Sequence, residues 1–451
     1  MIDPKVFKEY DIRGVADVEF DEEGIEQIAK AVVSHFKPSR VQIGHDMRLT
    51  SDKYHKKMIE TFLSCGVDVV NLGLLSTDML YLASAKYDSD ISITISASHN
   101  PPEYNGIKMV KKGAVAISLK DGLDKVREIV RSENFDVDLS KKGTLSEKNI
   151  MDDWISHVLS FIDVSKIKNL NAVVDPGNGM AGYYLPELEK NLPIKMTHLD
   201  YKLDGSFPSH PANPTKSENM QDCVDMVKKT SANFGMSFDG DADRVFMVDE
   251  TGKILSATVL TALIADNLLK KNPGETILYN AVIGKIVPEI VEQNGGRAIR
   301  VKVGSATIKP KMRETNAIFC GESSGHFYFR ENFFADSGII AALQVIELMS
   351  TTGKKLSELA LAYRKYYALE EESFEVTDKE SLIKSVEEKF TPDSKSVDHL
   401  DGLSIWFEDF WFNIRASNTE PLVRLNLEAD SEVVLEREKN KLVEFIKNSV
   451  R

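Results

Sequence analysis

The sequence predicts a multidomain α/β protein, with three α/β segments built on mixed, mostly parallel sheets and a smaller C-terminal α+β segment. Two observations carry this. Through most of the chain, short apolar runs alternate with helical patterns, which is the signature of βαβ units. After the charged stretch near residue 370, strand-like runs crowd together and one helix closes the chain. The length agrees, because 451 residues exceed what one core can hold and divide into domains of ~100–200 residues each.

The elements follow in order. "RVQIGHDMR" (40–48) reads as a strand then a loop, residues 52–65 as a helix, and "DVVNLG" (68–73) as a strand. Ile91, Ile93 and Ile95 alternate with Ser92, Thr94 and Ser96, as in a half-buried strand of period two. It ends in "TISASHN", and Pro101 and Pro102 then forbid strand or helix from continuing. Asn105-Gly106 can turn the chain so that "IKMV" returns beside the first strand. Residues 131–150 are polar and charged and read as a linker. A second α/β segment begins at "NLNAVVDPGNG" (169–179) and runs to about Gly252. In the third, "ETILYNAV" (275–282) is a strand, "KIVPEIVEQNGG" (285–296) a helix and "RAIRVKVG" a strand. The last has "LSIWFED" (403–409), "WFNIRAS" and "LVRLNLEA" as strands and a helix from about Ser431 to Asn448. The expected boundaries are 1–148, 149–252, 253–368 and 369–451.

A net charge of −14 argues against nucleic acid and anionic membrane as partners, because a phosphate backbone needs a basic face. A small phosphorylated ligand remains possible where local cations outvote the whole. Cys65, Cys223 and Cys320 are odd in number and widely spaced, suggesting neither a disulfide framework nor a zinc site. The start, "MIDPKVFKEYDIRG", has no apolar stretch of signal-peptide type. The apolar run Ile254 to Ala265 falls short of the ~20 residues of a membrane helix. The reading is a cytoplasmic protein of a reducing compartment.

"MSFDGDADRVFMVDE" (236–250) places Asp239, Asp241 and Asp243 two apart. Carboxylates that close repel unless a cation neutralises them, which points to a hard divalent metal. An EF-hand is met at Glu250, the twelfth position, but fails at the sixth, where Arg244 replaces glycine. An acidic turn between strands is the plain alternative. Three carboxylates leave the Mg²⁺ octahedron incomplete, so water or a phosphate oxygen must supply the rest. A rival lies in "VVDPGNGMAGYYL", where Gly177, Gly179 and Gly182 spell a dinucleotide-binding turn, with Asp200 closing the next strand. Pro176 and the mid-chain position speak against it.

Taken together, "YDIRG" (10–14), "SASHNP" (96–101), "DGDADR" (239–244), "GESSGH" (321–326) and "RASNTEP" (415–421) resemble the α-D-phosphohexomutase superfamily. The likeness is strongest to its phosphomannomutase/phosphoglucomutase branch, and "DGSFPSHPANP" (204–214) also fits. The resemblance implies four domains around a central cleft, three α/β and the last α+β. It implies reversible phosphoryl transfer between hexose 6-phosphate and hexose 1-phosphate, of mannose, glucose or both, through a phosphoserine and a 1,6-bisphosphate. Ser98 is then the phosphate carrier, and Asp239, Asp241 and Asp243 hold Mg²⁺ together with the phosphate on Ser98. A hexose 1,6-bisphosphate is the implied activator.

The catalytic set is Ser98, Lys108, His99 and Arg244. Transfer needs in-line positioning and positive charge around the equatorial oxygens, which Mg²⁺ and Arg244 supply. Lys108 resembles the family's general acid/base, a role that needs a pKa lowered to roughly 7–8. A solvated lysine is the alternative. His99 is a poor base for Ser98, because neighbours in an extended segment point to opposite sides. The resemblance implies that Arg415, Ser417, Asn418 and Thr419 form the phosphate grip and that Glu322 and Ser324 clamp the sugar's 3- and 4-hydroxyls. Tyr10 and Arg13 are assigned to the same cleft, with a buried helix-start role as the alternative. His326 is placed near substrate, or is structural. Ser305 and Val282 stand where many relatives have histidine and lysine, which leaves the sugar open. Phosphoglucosamine mutase and a weakly catalytic phosphosugar-binding protein are the other readings. The partner is a small phosphosugar, and the assembly a monomer or small homo-oligomer.

Overall fold

The computed structural model describes residues 2–369, 371–417 and 421–449. It divides into two compact units, Met1–Leu255 with Ser324–Ser357, and Ser256–Ser323 with Glu358–Arg451.

The first unit carries two sheets. One has seven strands, with a parallel centre made by Arg40–His45 between Ile91–Ile95 and Asp68–Leu74. Tyr104–Lys111 runs antiparallel beside Ile91–Ile95, with Thr94 opposite Lys108 and Ile95 opposite Ile107. Ile12–Val15 then pairs antiparallel with Tyr104–Lys111. The apolar core packs Ile25, Ile28 and Val32 of the helix Glu22–Phe36 and Tyr54, Met58 and Phe62 of the helix Ser51–Ser64 on this sheet. Asp21 starts the first of these helices by accepting from the Gly24 amide at 2.9 Å.

Two expectations are corrected here. Ile91–Ile95 is buried along its whole length, Ser92 and Thr94 included. A central strand is covered on both faces, and small hydroxyl side chains fit there; Ser92 Oγ lies 3.2 Å from Ser89 Oγ, while Thr94 Oγ1 is buried with no hydrogen-bond partner among the described residues. The stretch 131–150 is more than a linker, since Leu145–Glu147 joins the sheet edge in parallel with Asp68–Leu74. Its side chains are all exposed, so it leaves no periodic apolar signal.

The second sheet of this unit orders Val245–Asp249, Phe234–Phe238, Leu170–Asp175 and Ile194–His198. Its last three strands are parallel, and only Val245–Asp249 is antiparallel. A hairpin of Phe327–Phe329 and Ala335–Asp336 leads into the helix Gly338–Thr352, capped by Ser337.

In the second unit, Thr276–Asn280 lies parallel between Arg297–Val301 and Phe319–Gly321. The C-terminal part is an antiparallel sheet in which Phe410–Ala416 lies between Leu403–Trp406 and Leu422–Ala429. The helices Lys379–Phe390 and Glu432–Ser449 cover it through Val386, Leu442 and Ile446. The fold class read from the sequence therefore holds: α/β architecture through three segments and α+β at the end. Among the described residues, no helix is long and apolar enough to cross a membrane.

Candidate active site

Strand Ile91–Ile95 delivers Ser98 to a turn, and the antiparallel loop between Phe234–Phe238 and Val245–Asp249 delivers the aspartates. They meet: Ser98 Oγ donates to Asp239 Oδ2 at 2.8 Å. Ser98 has φ +51°, a left-handed backbone that costs a non-glycine residue about 1–3 kcal/mol. The turn itself lies before Tyr104; Asn105 and Gly106, expected to form it, sit inside the returning strand. Asn105 is buried there, with its amide donating to Thr50 Oγ1 and Ser51 Oγ.

Asp239, Asp241 and Asp243 are at most 2% exposed, and their carboxylates bring oxygens within 4.8 Å of one another. Lys108 Nζ lies 2.5 Å from Asp241 Oδ2 and 3.1 Å from Asp243 Oδ2. Arg244 Nε lies 3.4 Å from Asp239 Oδ2. Burial, with Asp243 and Asp241 beside it, pushes the Asp239 carboxyl well above its ordinary range. Burial and Asp243 push Asp241 up as well, but Lys108 and Thr77 outweigh them and leave it low. At Asp243, Lys108, His326 and Arg244 overcome burial and hold the carboxylate well below the usual range.

Lys108 sits between two carboxylates of the acidic loop. Burial lowers its pKa, but Asp241 and Asp243 raise it further, so the net shift is upward. A general base near neutral pH needs the opposite shift, and a cation held by Asp241 and Asp243 would remove their upward pull on the lysine. His99 departs from the sequence reading. The left-handed turn at Ser98 removes the extended geometry, and His99 Nδ1 lies 3.3 Å from Ser98 Oγ. That same nitrogen accepts from Arg244 Nη2 at 2.6 Å, and burial with Arg244 nearby keeps the ring neutral.

His326 lies 3.3 Å from Asp243 Oδ1, accepts from Arg244 Nε at 3.2 Å, and pairs with Ser324 Oγ at 2.8 Å. Arg13 reaches the serine turn by donating to Asn100 Oδ1 at 2.7 Å. It stands on the strand Ile12–Val15, so its helix-start alternative is corrected; Tyr10 is half-buried on the bend before that strand.

The remaining candidates lie in the second unit. Glu322 is buried and accepts from the Gly304 amide at 2.8 Å, directly beside Ser305. Val282 is buried as well. Arg415 donates to Glu371 at 2.9 Å and stands opposite Arg424 across the strands, and the Ser417 carbonyl accepts from Lys379 Nζ at 2.7 Å. Asn418 and Thr419 lie outside the described residues.

Sequence reasoning missed three contributors. Thr77, at the start of the helix Thr77–Lys86, donates its hydroxyl to Asp241 and its amide to the Asp241 carbonyl. Asp336 lies 3.8 Å from His326 Nε2, and Arg48 binds the serine turn from behind. None stands in a motif, although "HDMR" closes a strand that was recognised.

Two rival readings lose their groups to the protein itself. The turn amides that a pyrophosphate would need are engaged: Gly177 with Asp175, Asn178 with Asp200, Gly179 with Pro176 and Met180 with Gly240. Glu250, the twelfth EF-hand position, accepts instead from the Ser357 amide and hydroxyl.

Comparison with known proteins places this geometry. Phosphoglucomutase/phosphomannomutase domain profiles match in chain order: α/β/α domain I at residues 4–137, domain II at 152–252, domain III at 258–366 and the C-terminal domain at 371–445. A phosphomannomutase of Escherichia coli is 36% identical over 439 residues, covering 95% of this chain and 96% of its own. A phosphomannomutase of Methanocaldococcus jannaschii is 36% identical over 458 residues, covering 99% and 98%. The crystal structure of a phosphoglucomutase/phosphomannomutase family protein from Burkholderia thailandensis superimposes with a TM-score of 0.91 at 29% identity, covering 99% of this chain and 98% of that one. The chain belongs to the phosphoglucomutase/phosphomannomutase family, and with it to the phosphohexomutase enzymes.

Proposed function

We propose that the chain interconverts hexose 6-phosphate and hexose 1-phosphate, of mannose, glucose or both, through phospho-Ser98 and a 1,6-bisphosphate. The observation that carries the reading is the contact of Ser98 Oγ with Asp239 inside a buried group of three aspartates, Lys108 and Arg244.

The donor set fits a divalent cation. Its oxygens are hard and buried, and Asp241 Oδ1 has no hydrogen-bond partner among the described residues. Asp239, Asp241 and Asp243 would hold Mg²⁺, which when bound offsets the charge on the transferring phosphoryl oxygens.

The chain's own residues do the rest. Phospho-Ser98 loses its phosphorus–oxygen bond to serine as a sugar hydroxyl oxygen forms the new one, and the hydroxyl's proton ends on the released serine oxygen. The 1,6-bisphosphate then turns over and returns its other phosphoryl group to Ser98. Asp239, which accepts from Ser98 Oγ at 2.8 Å, relays that proton to the serine as it leaves and takes it back when Ser98 is phosphorylated again. Arg244 and Lys108 stay charged and face the equatorial oxygens. His99 accepts from Arg244 and so aims its guanidinium. Arg415, with Arg424 opposite, binds the phosphate that does not transfer, and Glu322 with Ser324 holds the sugar hydroxyls.

Assay on mannose 1-phosphate, glucose 1-phosphate and glucosamine 1-phosphate, with Mg²⁺ and a trace of hexose 1,6-bisphosphate, tests the reading. Conversion of mannose, glucose or both to the 6-phosphate is expected. A preference for glucosamine reassigns the sugar, and conversion of none overturns the proposal.

A further inference from the structure

The segment "HDMRLTS" (45–51) leaves the strand Arg40–His45 and places Arg48 inside the protein, its side chain 0% exposed. A buried arginine is uncommon, because every guanidinium N–H taken from water needs a partner. Here the partners are concentrated. Nη1 donates to the carbonyls of Pro101 at 2.8 Å and Tyr104 at 2.9 Å. Nη2 donates to those of Ser98 at 2.7 Å and Asn100 at 2.5 Å. Nε lies 3.5 Å from Asp46 Oδ2, and Asp46 is held in turn by Ser51 Oγ at 2.6 Å.

Three of the four carbonyls, those of Ser98, Asn100 and Pro101, belong to the turn that carries the left-handed Ser98, and the fourth, that of Tyr104, opens the strand that follows it. Two prolines interrupt regular backbone pairing there, and the guanidinium replaces the missing partners. Behind it, the Phe207 ring lies 5.1 Å from the Arg48 guanidinium carbon. Two glycines admit the backbones on either side: a Cβ at Gly205 would stand 2.6 Å from Arg48 Cα, and one at Gly240 2.4 Å from the Ser98 carbonyl oxygen.

We infer that Arg48 is a positioning residue for phosphoryl transfer, holding the Ser98 turn by its carbonyls so that Ser98 Oγ faces Asp239. The inference rests on the phosphoserine reading above. Lysine preserves the charge but offers one ammonium, which cannot span four carbonyls as a planar fork does.

The test compares the parent with Arg48→Lys and Phe207→Leu. For each, the rate of phosphate uptake by Ser98 from hexose 1,6-bisphosphate is followed by quenched intact mass, together with sugar-phosphate KM and thermal stability. Arg48→Lys should slow uptake about a hundredfold, since misplacement near 1 Å costs that much, while KM stays at the parent's value. Phe207→Leu should fall between the two. Uptake at the parent's rate in Arg48→Lys overturns the inference alone. If that variant does not fold, a parental rate in Phe207→Leu overturns it. A parent that takes up no phosphate on Ser98 removes the phosphoserine reading, and the inference with it.

Discussion

Ser98 and Lys108 show what single residues contribute. Ser98 donates into an acidic group, so its free hydroxyl has an acceptor in place. Lys108 is bound by two carboxylates, Asp241 and Asp243, which favour its charged form. Its replacement by alanine should lower kcat by roughly 10²–10³, as loss of one preorganised donor does. A pH profile of kcat/KM that keeps its shape would assign the lysine as positive charge alone, and a lost limb in that profile would assign it the acid/base role. At the other grip, Arg415→Ala should weaken binding by about 1.5–3 kcal/mol, roughly ten- to a hundredfold in KM. Titration of the sugar phosphate checks it, and an unchanged KM would remove Arg415 from the phosphate set.

Among the elements, the loop 204–214 is tied to the second sheet by His210. Its Nε2 lies 3.2 Å from Asp175 and 3.8 Å from Asp200, and the Asp175 hydrogen bond is the chief reason that its pKa rises to about 9. A raised pKa stabilises the protonated fold. The contribution is whole below about pH 6.5, the unfolded value, and is lost as pH climbs through about 9. Thermal melts should therefore show a decline over that window that is smaller in His210→Gln; identical pH dependence would contradict the latch. Legibility divides along the same lines. Ser98 and the three aspartates could be read because each sits in one unbroken stretch whose chemistry is local. Thr77, Arg48 and Asp336 could not, because their roles arise from segments brought together only by the sheet. Burial of Ile91–Ile95 was misjudged because alternation with serine and threonine imitates a strand with one wet face. Leu145–Glu147 was missed because an exposed three-residue edge has no apolar period.

Across the whole molecule, residues 256–323 of the third segment share one compact unit with the fourth. Arg300 joins them: it donates to the Ala281 carbonyl at 2.7 Å, Asp398 at 2.6 Å and Ser404 at 2.8 Å, with Trp406 and Trp411 rings 5.2 and 5.6 Å from its guanidinium. Arg300→Ala should destabilise this unit by about 1–3 kcal/mol, seen as a lowered melting temperature with an early change in tryptophan emission. An unchanged melt would mean that other contacts hold the two segments together. The claim on which the account turns is covalent. Protein incubated with hexose 1,6-bisphosphate and Mg²⁺, digested and mapped by mass spectrometry, should carry one phosphoryl group on the peptide containing Ser98. A phosphate found on any other residue, or on none while sugar phosphates still interconvert, would contradict it.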